Sequence, residues 1–195
     1  MSKKISTPKR YAEILDAAAT IFAEKGFHGA STTDIADQLG IQQAGFYYYF
    51  KSKDAVLAEV CRLGVQGYLE HVTAISKSVA PSDVKIRLAV REHLLPFHHI
   101  PHYVSVFHSE RRYLTGDNQV QVGKLANKYE RELRRLFESG VDAGEFRKNL
   151  DCKLATLGLL GMCNSVATWY DGKTEEHISD IAESYADIII GGVIK

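Results

Sequence analysis

Only four prolines punctuate the chain, at Pro8, Pro81, Pro96 and Pro101, and no run of alternating β-branched residues bounded by turn chemistry lies anywhere along it. Apolar residues recur instead at helical spacing, so the chain reads as all-α. From Tyr11 the stripe Ile14, Leu15, Ala18, Ile21 and Phe22 stops at Gly26, the expected left-handed cap of a first helix. Ser31-Thr32-Thr33-Asp34 has the form of a capping box, with the Ser31 hydroxyl accepting from the backbone and Asp34 reciprocating three residues on. The second helix it opens carries Ile35, Ala36 and Leu39 inward and ends about two turns later at Gly40. Gln42 to Phe50 forms a third short helix. Ser52 then serves as N-cap of a long fourth one, whose apolar residues Val56, Leu57, Val60, Leu63 and Tyr68 run toward Val79. Further helices are expected over 83–99, 103–114, 120–139, 152–170 and 175–190, separated by Pro101 and by turn chemistry at 116–118, 140–144 and 171–172.

A chain of 195 residues suffices for one ordinary domain or for a small domain fused to a larger one. Its 45% hydrophobic and 25% charged residues belong to a globular protein, not to a disordered or fibrous one. Lysine plus arginine equals aspartate plus glutamate at 24 each, so net charge says nothing about a nucleic-acid partner. The distribution is less even, because residues 1–10 hold Lys3, Lys4, Lys9 and Arg10 and no acidic residue. That cluster reads either as a solvated tail or as an arm along a phosphate backbone. No stretch approaches the roughly 20 apolar residues of a membrane span, and the opening residues do not lead into an apolar signal core. A cytoplasmic protein with no membrane partner is expected. Cys61, Cys152 and Cys163 are odd in number, far apart and set among apolar neighbours, the pattern of buried free thiols rather than of disulfides, a zinc site or a redox sensor.

Two short helices joined at Gly40-Ile41 and buttressed by a longer one describe a helix-turn-helix, whose second short helix enters the DNA major groove. Gln42 and Gln43 open that helix, where side chains reach base edges, and glutamine can pair with adenine through two hydrogen bonds. Ala44 and Gly45 are small enough for close backbone approach. Tyr47 and Tyr48 offer hydroxyls to phosphates, and Lys53 adds a positive charge at the start of the fourth helix. Thr32, with Thr33 beside it, stands at the N-terminus of the second helix, where a hydroxyl can donate to a phosphate. Helical spacing puts Phe46 and Phe50 on a core face, Tyr48 on the opposite face, and Tyr47 and Tyr49 at the margins.

The run Thr32-Thr33-Asp34-Ile35-Ala36, Leu39-Gly40-Ile41, Ala44-Gly45-Phe46-Tyr47, Tyr49-Phe50 and Ser52-Lys53-Asp54 closely resembles the signature of TetR-family regulators. Ile14, Ala17, Ala18, Phe22, Gly26 and Phe27 also fall where that family places its first helix and turn. Gly45 departs from the threonine or similar polar residue often found there, which leaves the operator unread. The resemblance implies an N-terminal three-helix DNA-binding domain, residues 1–53, and a larger helical effector-binding and dimerisation domain, residues 54–195. It implies a homodimer built by pairing 152–170 and 175–190 with their symmetry mates; their apolar faces, including Leu154, Leu157, Leu160, Val166, Ile178, Ile181, Tyr185 and Ile188, are broad enough to serve both core and partner. Two recognition helices then fit successive major grooves of a palindromic operator, about 34 Å apart. The implied function is that of a ligand-responsive repressor, not an enzyme, with no cofactor.

Candidate effector contacts are Phe97, Tyr103, Phe107, Met162, Asn164 and Trp169, with Arg111 as a cation. Gly161-Met162-Cys163-Asn164 followed by Trp169-Tyr170 resembles the equivalent stretch in TetR-type regulators of fatty-acid and steroid breakdown, several of which sense acyl-CoA thioesters. An acyl-CoA needs an apolar slot and cations for its phosphates, which Arg111, Arg112, Arg131, Arg134 and Arg135 could supply. The other reading of those arginines is a solvated helix face paired with Glu110, Glu130, Glu132 and Glu138. His93, His98, His99, His102 and His108 support a competing class, a helical metal-binding protein or enzyme, although Pro101 interrupts the helix that would bring His98 and His102 together.

Overall fold

The computed structural model describes residues 7–172 and 174–194, so Lys3 and Lys4 of the basic cluster lie outside the described residues. Helix α1 spans Thr7–Gly29 and buries Ile14, Leu15, Ala18, Ile21 and Phe22, as its periodicity requires. Gly26 interrupts it with φ 69° and ψ 164°. Those angles lie in an extended positive-φ region that is essentially reserved for glycine, so the expected left-handed cap is instead a kink, after which the helix resumes for one turn. The Phe27 N–H beyond the kink donates to the buried Glu110 carboxylate at 2.7 Å.

Helix α2, Thr32–Gln38, starts at the capping box: Asp34 N–H donates to Ser31 Oγ at 3.0 Å, and Ser31 N–H donates to Asp34 Oδ2 at 2.7 Å. Helix α3 is Gln43–Tyr49, and α4 runs from Lys53 to Lys77 with the Ser52 hydroxyl accepting the Ala55 N–H. The expected single helix over 83–99 is divided into α5, Ser82–Leu94, and the one-turn α6, Pro96–His99, because Pro96 brings no N–H to continue the ladder. Ile100 then leaves the helical region, and Pro101 opens α7, Pro101–Ser109, which ends in a 3-10 turn at Arg111–Tyr113. Gly116 to Asn118, read as a break, form the first turn of α8, Gly116–Asp142. The expected 152–170 helix stops earlier: α9 is Cys152–Ser165 and closes in a 3-10 turn at Val166–Thr168. Helix α10 is Glu175–Val193, its Thr174 cap accepting the His177 N–H.

The chain divides into two compact units, one running through Gly64 and taking in His102–Gly123, the other comprising Val65–Pro101 and the chain from Lys124 onward. In the first, Phe22, Ile35, Phe46 and Leu57 form the centre of the helix-turn-helix core. Gly64 of α4 faces α7 so closely that a Cβ there would lie 3.0 Å from the Tyr103 carbonyl oxygen. In the second unit α5 lies against α10, burying Ile86, Ala89 and Val90 with Ala182, Ala186, Ile189 and Ile190. Among the described residues no helix is long and apolar enough to cross a membrane.

Candidate functional site

Helix α3 stands on its core through Phe46 and Phe50, and the Tyr11 ring stacks on Phe50 with centroids 5.0 Å apart. With that face turned inward, helical geometry turns the other outward: Tyr48 is 76% and Tyr47 49% exposed, and Gln42, Gln43 and Ala44 are exposed beside them. A Cβ on Gly45 would meet only the Ile41 side chain at 3.6 Å, an ordinary contact, so internal packing does not demand a glycine there.

Four of the expected DNA contacts form one hydrogen-bonded patch. Gln43 Nε2 donates to Thr32 Oγ1 at 3.0 Å and to Thr33 Oγ1 at 3.3 Å, and Thr32 Oγ1 lies 3.3 Å from the Tyr47 hydroxyl. Both amide N–H groups of Gln43 are thereby engaged, and pairing with an adenine edge requires the amide to leave at least one threonine. Lys53 sits apart from this patch. Its ammonium donates to the Phe27 and Ala30 carbonyls at 2.6 and 2.7 Å and lies 4.4 Å from the Phe27 ring centroid. Two of its three N–H donors therefore bind the end of α1. Lys25, which the spacing did not single out, bonds Asp34 at 2.6 Å; with the Ser31 hydroxyl and N–H it holds that carboxyl down at about 2. Of the basic cluster, Lys9 is exposed and Arg10 pairs with Glu13 at 2.9 Å.

The seven candidate effector contacts divide between the units. In the first, the Tyr103 hydroxyl donates to Asp16 Oδ1 at 2.8 Å, Phe107 is buried, and the exposed Arg111 guanidinium lies 4.6 Å from the Phe107 ring centroid. In the second, Phe97 and Asn164 both adjoin His93: the His93 and Phe97 rings are 6.3 Å apart, and Asn164 Oδ1 is 3.0 Å from His93 Nε2. Met162 instead lines a groove of about 440 Å³ on α9 and α10, with Leu154 and Ile188, and Trp169 is half exposed beyond the 3-10 turn. Spacing along the chain also missed Tyr68 and Tyr129, which flank His93 from α4 and α8; the one local signal was the His93–Phe97 pair at i, i+4.

Of the candidate histidines in the second unit, His93, His98 and His99 each have a separate polar partner. His93 is buried, the His98 ring nitrogen lies 3.4 Å from the Tyr170 hydroxyl, and His99 pairs with Glu175 at 3.1 Å. His102 and His108 belong to the other unit, and burial lowers His108 to about 4. Among the described residues no three His, Cys, Asp or Glu side chains are placed to hold a metal ion. Burial pushes the thiols of Cys61 and Cys163 up to about 12, which suppresses the reactive thiolate; Cys152 is half-buried and also raised. Arg134 and Arg135 pair along their own helix with Glu138 and Glu132 at 3.1 and 2.6 Å, as a solvated helix face does.

Residues 14–60 match the family described as bacterial regulatory proteins, tetR family, and residues 80–193 match the tetracyclin repressor-like C-terminal domain. The chain is 23% identical over 185 residues to the fatty acid metabolism regulator protein of Bacillus subtilis (strain 168), with 94% of this chain and 95% of the relative covered. It is 26% identical over 189 residues to the HTH-type transcriptional repressor KstR2 of Rhodococcus jostii (strain RHA1), with 94% and 91% covered. Among solved structures, AibR in complex with isovaleryl coenzyme A and operator DNA superposes with a TM-score of 0.80 at 24% identity, over 92% of this chain and 97% of that one. With a helix-turn-helix match on the N-terminal helices and a regulator match on well over half of the chain beyond them, the protein belongs to the TetR family of bacterial transcriptional regulators.

Proposed function

We propose that this chain is a cytoplasmic, non-enzymatic, homodimeric repressor that binds a palindromic operator and is released from it by a small, largely apolar effector of the acyl-CoA thioester class. Residues 1–53 act as the DNA reader and residues 54–195 as the effector-binding and dimerisation part. The observation that carries the reading is the outward face of α3, where Gln42, Gln43, Ala44, Tyr47 and Tyr48 are exposed on a helix anchored by Phe46 and Phe50. Gln42 and Gln43 face base edges, and Ala44 and Gly45 permit close approach. Thr32, Thr33, Tyr47 and Tyr48 contact phosphates, joined by the third N–H of Lys53. Similarity to the KstR2 repressor supports the repressor assignment, and similarity to the fatty acid metabolism regulator supports an effector from fatty-acid metabolism, in keeping with a fold shared with AibR, which was solved with isovaleryl coenzyme A. Phe97, Tyr103, Phe107, Met162, Asn164 and Trp169, with Arg111, remain the proposed effector contacts.

Dimerisation through α9 and α10 is supported by Leu154 and Ile188, exposed at 64 and 62% in the α9–α10 groove, and by Leu157, exposed at 43% on α9. A Cβ on Gly158 or Gly161 would meet nothing within 4 Å, which leaves room for a second pair of helices to approach. The test is a DNA selection at controlled salt with the purified full-length protein, followed by titration of the selected site with fatty acyl-CoA and steroid-CoA pools. A palindrome released by one pool is expected; absence of any selected sequence at low salt refutes the reading.

A further inference from the structure

Four helices of the second unit meet at one buried polar layer. His93 of α5 is 2% exposed; the Tyr129 hydroxyl of α8 lies 2.7 Å from its Nδ1, and Asn164 Oδ1 of α9 lies 3.0 Å from its Nε2. An amide oxygen only accepts, so Nε2 carries the ring proton, and in the neutral ring Nδ1 accepts from Tyr129. Tyr68 of α4 lies flat on this imidazole, ring centroids 4.6 Å apart and planes 6° from parallel, and also stacks against Tyr129 at 5.5 Å.

Tyr68 differs from the others in one respect: its hydroxyl is buried, and among the described residues no group pairs with it. Burial pushes the phenol far above its ordinary pKa, so it keeps its proton and presents a donor. Buried hydroxyls in native proteins nearly always have a partner. Of the polar groups around this one, burial raises both the Cys163 thiol and the Tyr129 phenol, which keeps both neutral. Burying an anion against these neutral groups costs its desolvation, whereas a neutral acceptor would complete the hydroxyl without that penalty.

We propose that the Tyr68 hydroxyl is the recognition point for a neutral carbonyl oxygen of the effector, as in a thioester, with the His93–Tyr129–Asn164 chain holding the Tyr68 ring in place. The assignment rests on the effector-released repressor reading above, and it selects within that reading for thioesters over free carboxylic acids. Tyr68→Phe removes the one oxygen and keeps the stack. The assay is release of the selected operator from the full-length protein by hexadecanoyl-CoA and cholanoyl-CoA, each beside its S-alkyl thioether analogue without the carbonyl, and by the free acids. For the wild type, the active thioester should release DNA at about tenfold lower concentration than its thioether. Y68F should need about tenfold more thioester and respond to the thioether as the wild type does, and the free acids should release neither protein. In the ligand-free state Y68F should melt no lower than the wild type, since no standing hydrogen bond is lost. Equal thioester response in both proteins, or a lowered melting temperature of free Y68F, overturns the Tyr68 assignment alone. A wild type that binds its operator and is released by none of the probes overturns the effector class itself, and this assignment with it.

Discussion

Lys53 ties the start of α4 to the end of α1, and replacing it with methionine tests that tie while keeping most of its apolar stem. Hydrogen bonds to a charged donor contribute about 1.5–3 kcal/mol each in favourable settings, and a cation over an aromatic ring about 0.5–1 kcal/mol at exposed sites. The Lys53 ammonium makes two such bonds, at 2.6 and 2.7 Å, and lies 4.4 Å from the Phe27 ring centroid. The site is only part-buried, so the released carbonyls of Phe27 and Ala30 regain some water, and the net loss comes to about 2–3 kcal/mol. For a chain of this size that lowers Tm by about 4–12 °C. The measurement is thermal unfolding of the DNA-free protein by circular dichroism, paired with operator affinity across a salt series. If the third N–H also reaches a phosphate, the logarithmic salt slope falls by about 1 for each Lys53 in the complex. A lowered Tm with an unchanged slope would remove Lys53 from the DNA contacts and leave it as a staple, while an unchanged Tm would refute the reasoning about the carbonyls altogether.

Three further outcomes are expected. Ser31→Ala removes the side-chain half of the capping box on α2 while keeping the backbone N–H that donates to Asp34, and should cost about 1 kcal/mol in denaturant unfolding, with Ser31→Thr restoring most of it. Gly140→Ala would set a Cβ 2.3 Å from the ring of the fully buried Phe146; overpacking of this kind costs about 1–3 kcal/mol, and calorimetry should show the drop. His108, lowered by burial from 6.5 to about 4, binds its proton more weakly folded than unfolded. Its contribution to stability is therefore complete above about pH 6.5 and is lost as pH falls toward 4, so unfolding free energy should decline over that window and decline less steeply in His108→Gln.

Much of the architecture was legible along the chain because it is decided by neighbours. The 3.6-residue period placed Phe46 and Phe50 inward and Tyr48 outward, and the four residues Ser31 to Asp34 contain both halves of their own cap. Such interactions close within one or two turns and need no knowledge of packing. Pro96 was also visible in the sequence, yet the periodicity running through it hid the division between α5 and α6. The Phe27 N–H to Glu110 bond joins residues 83 apart, and nothing beside either one signals the other. The same holds for Lys53, which spacing marked as a phosphate contact and whose ammonium packing turned onto the Phe27 and Ala30 carbonyls. It holds again for His93, whose chain neighbours grouped it with other histidines and whose partners come from α4, α8 and α9. The sequence by itself determined that the chain is helical, the Ser31 cap and the apolar faces, because those depend on residues a few positions apart. Only the tertiary structure decided which buried polar groups meet, because each such partnership depends on how separate helices pack.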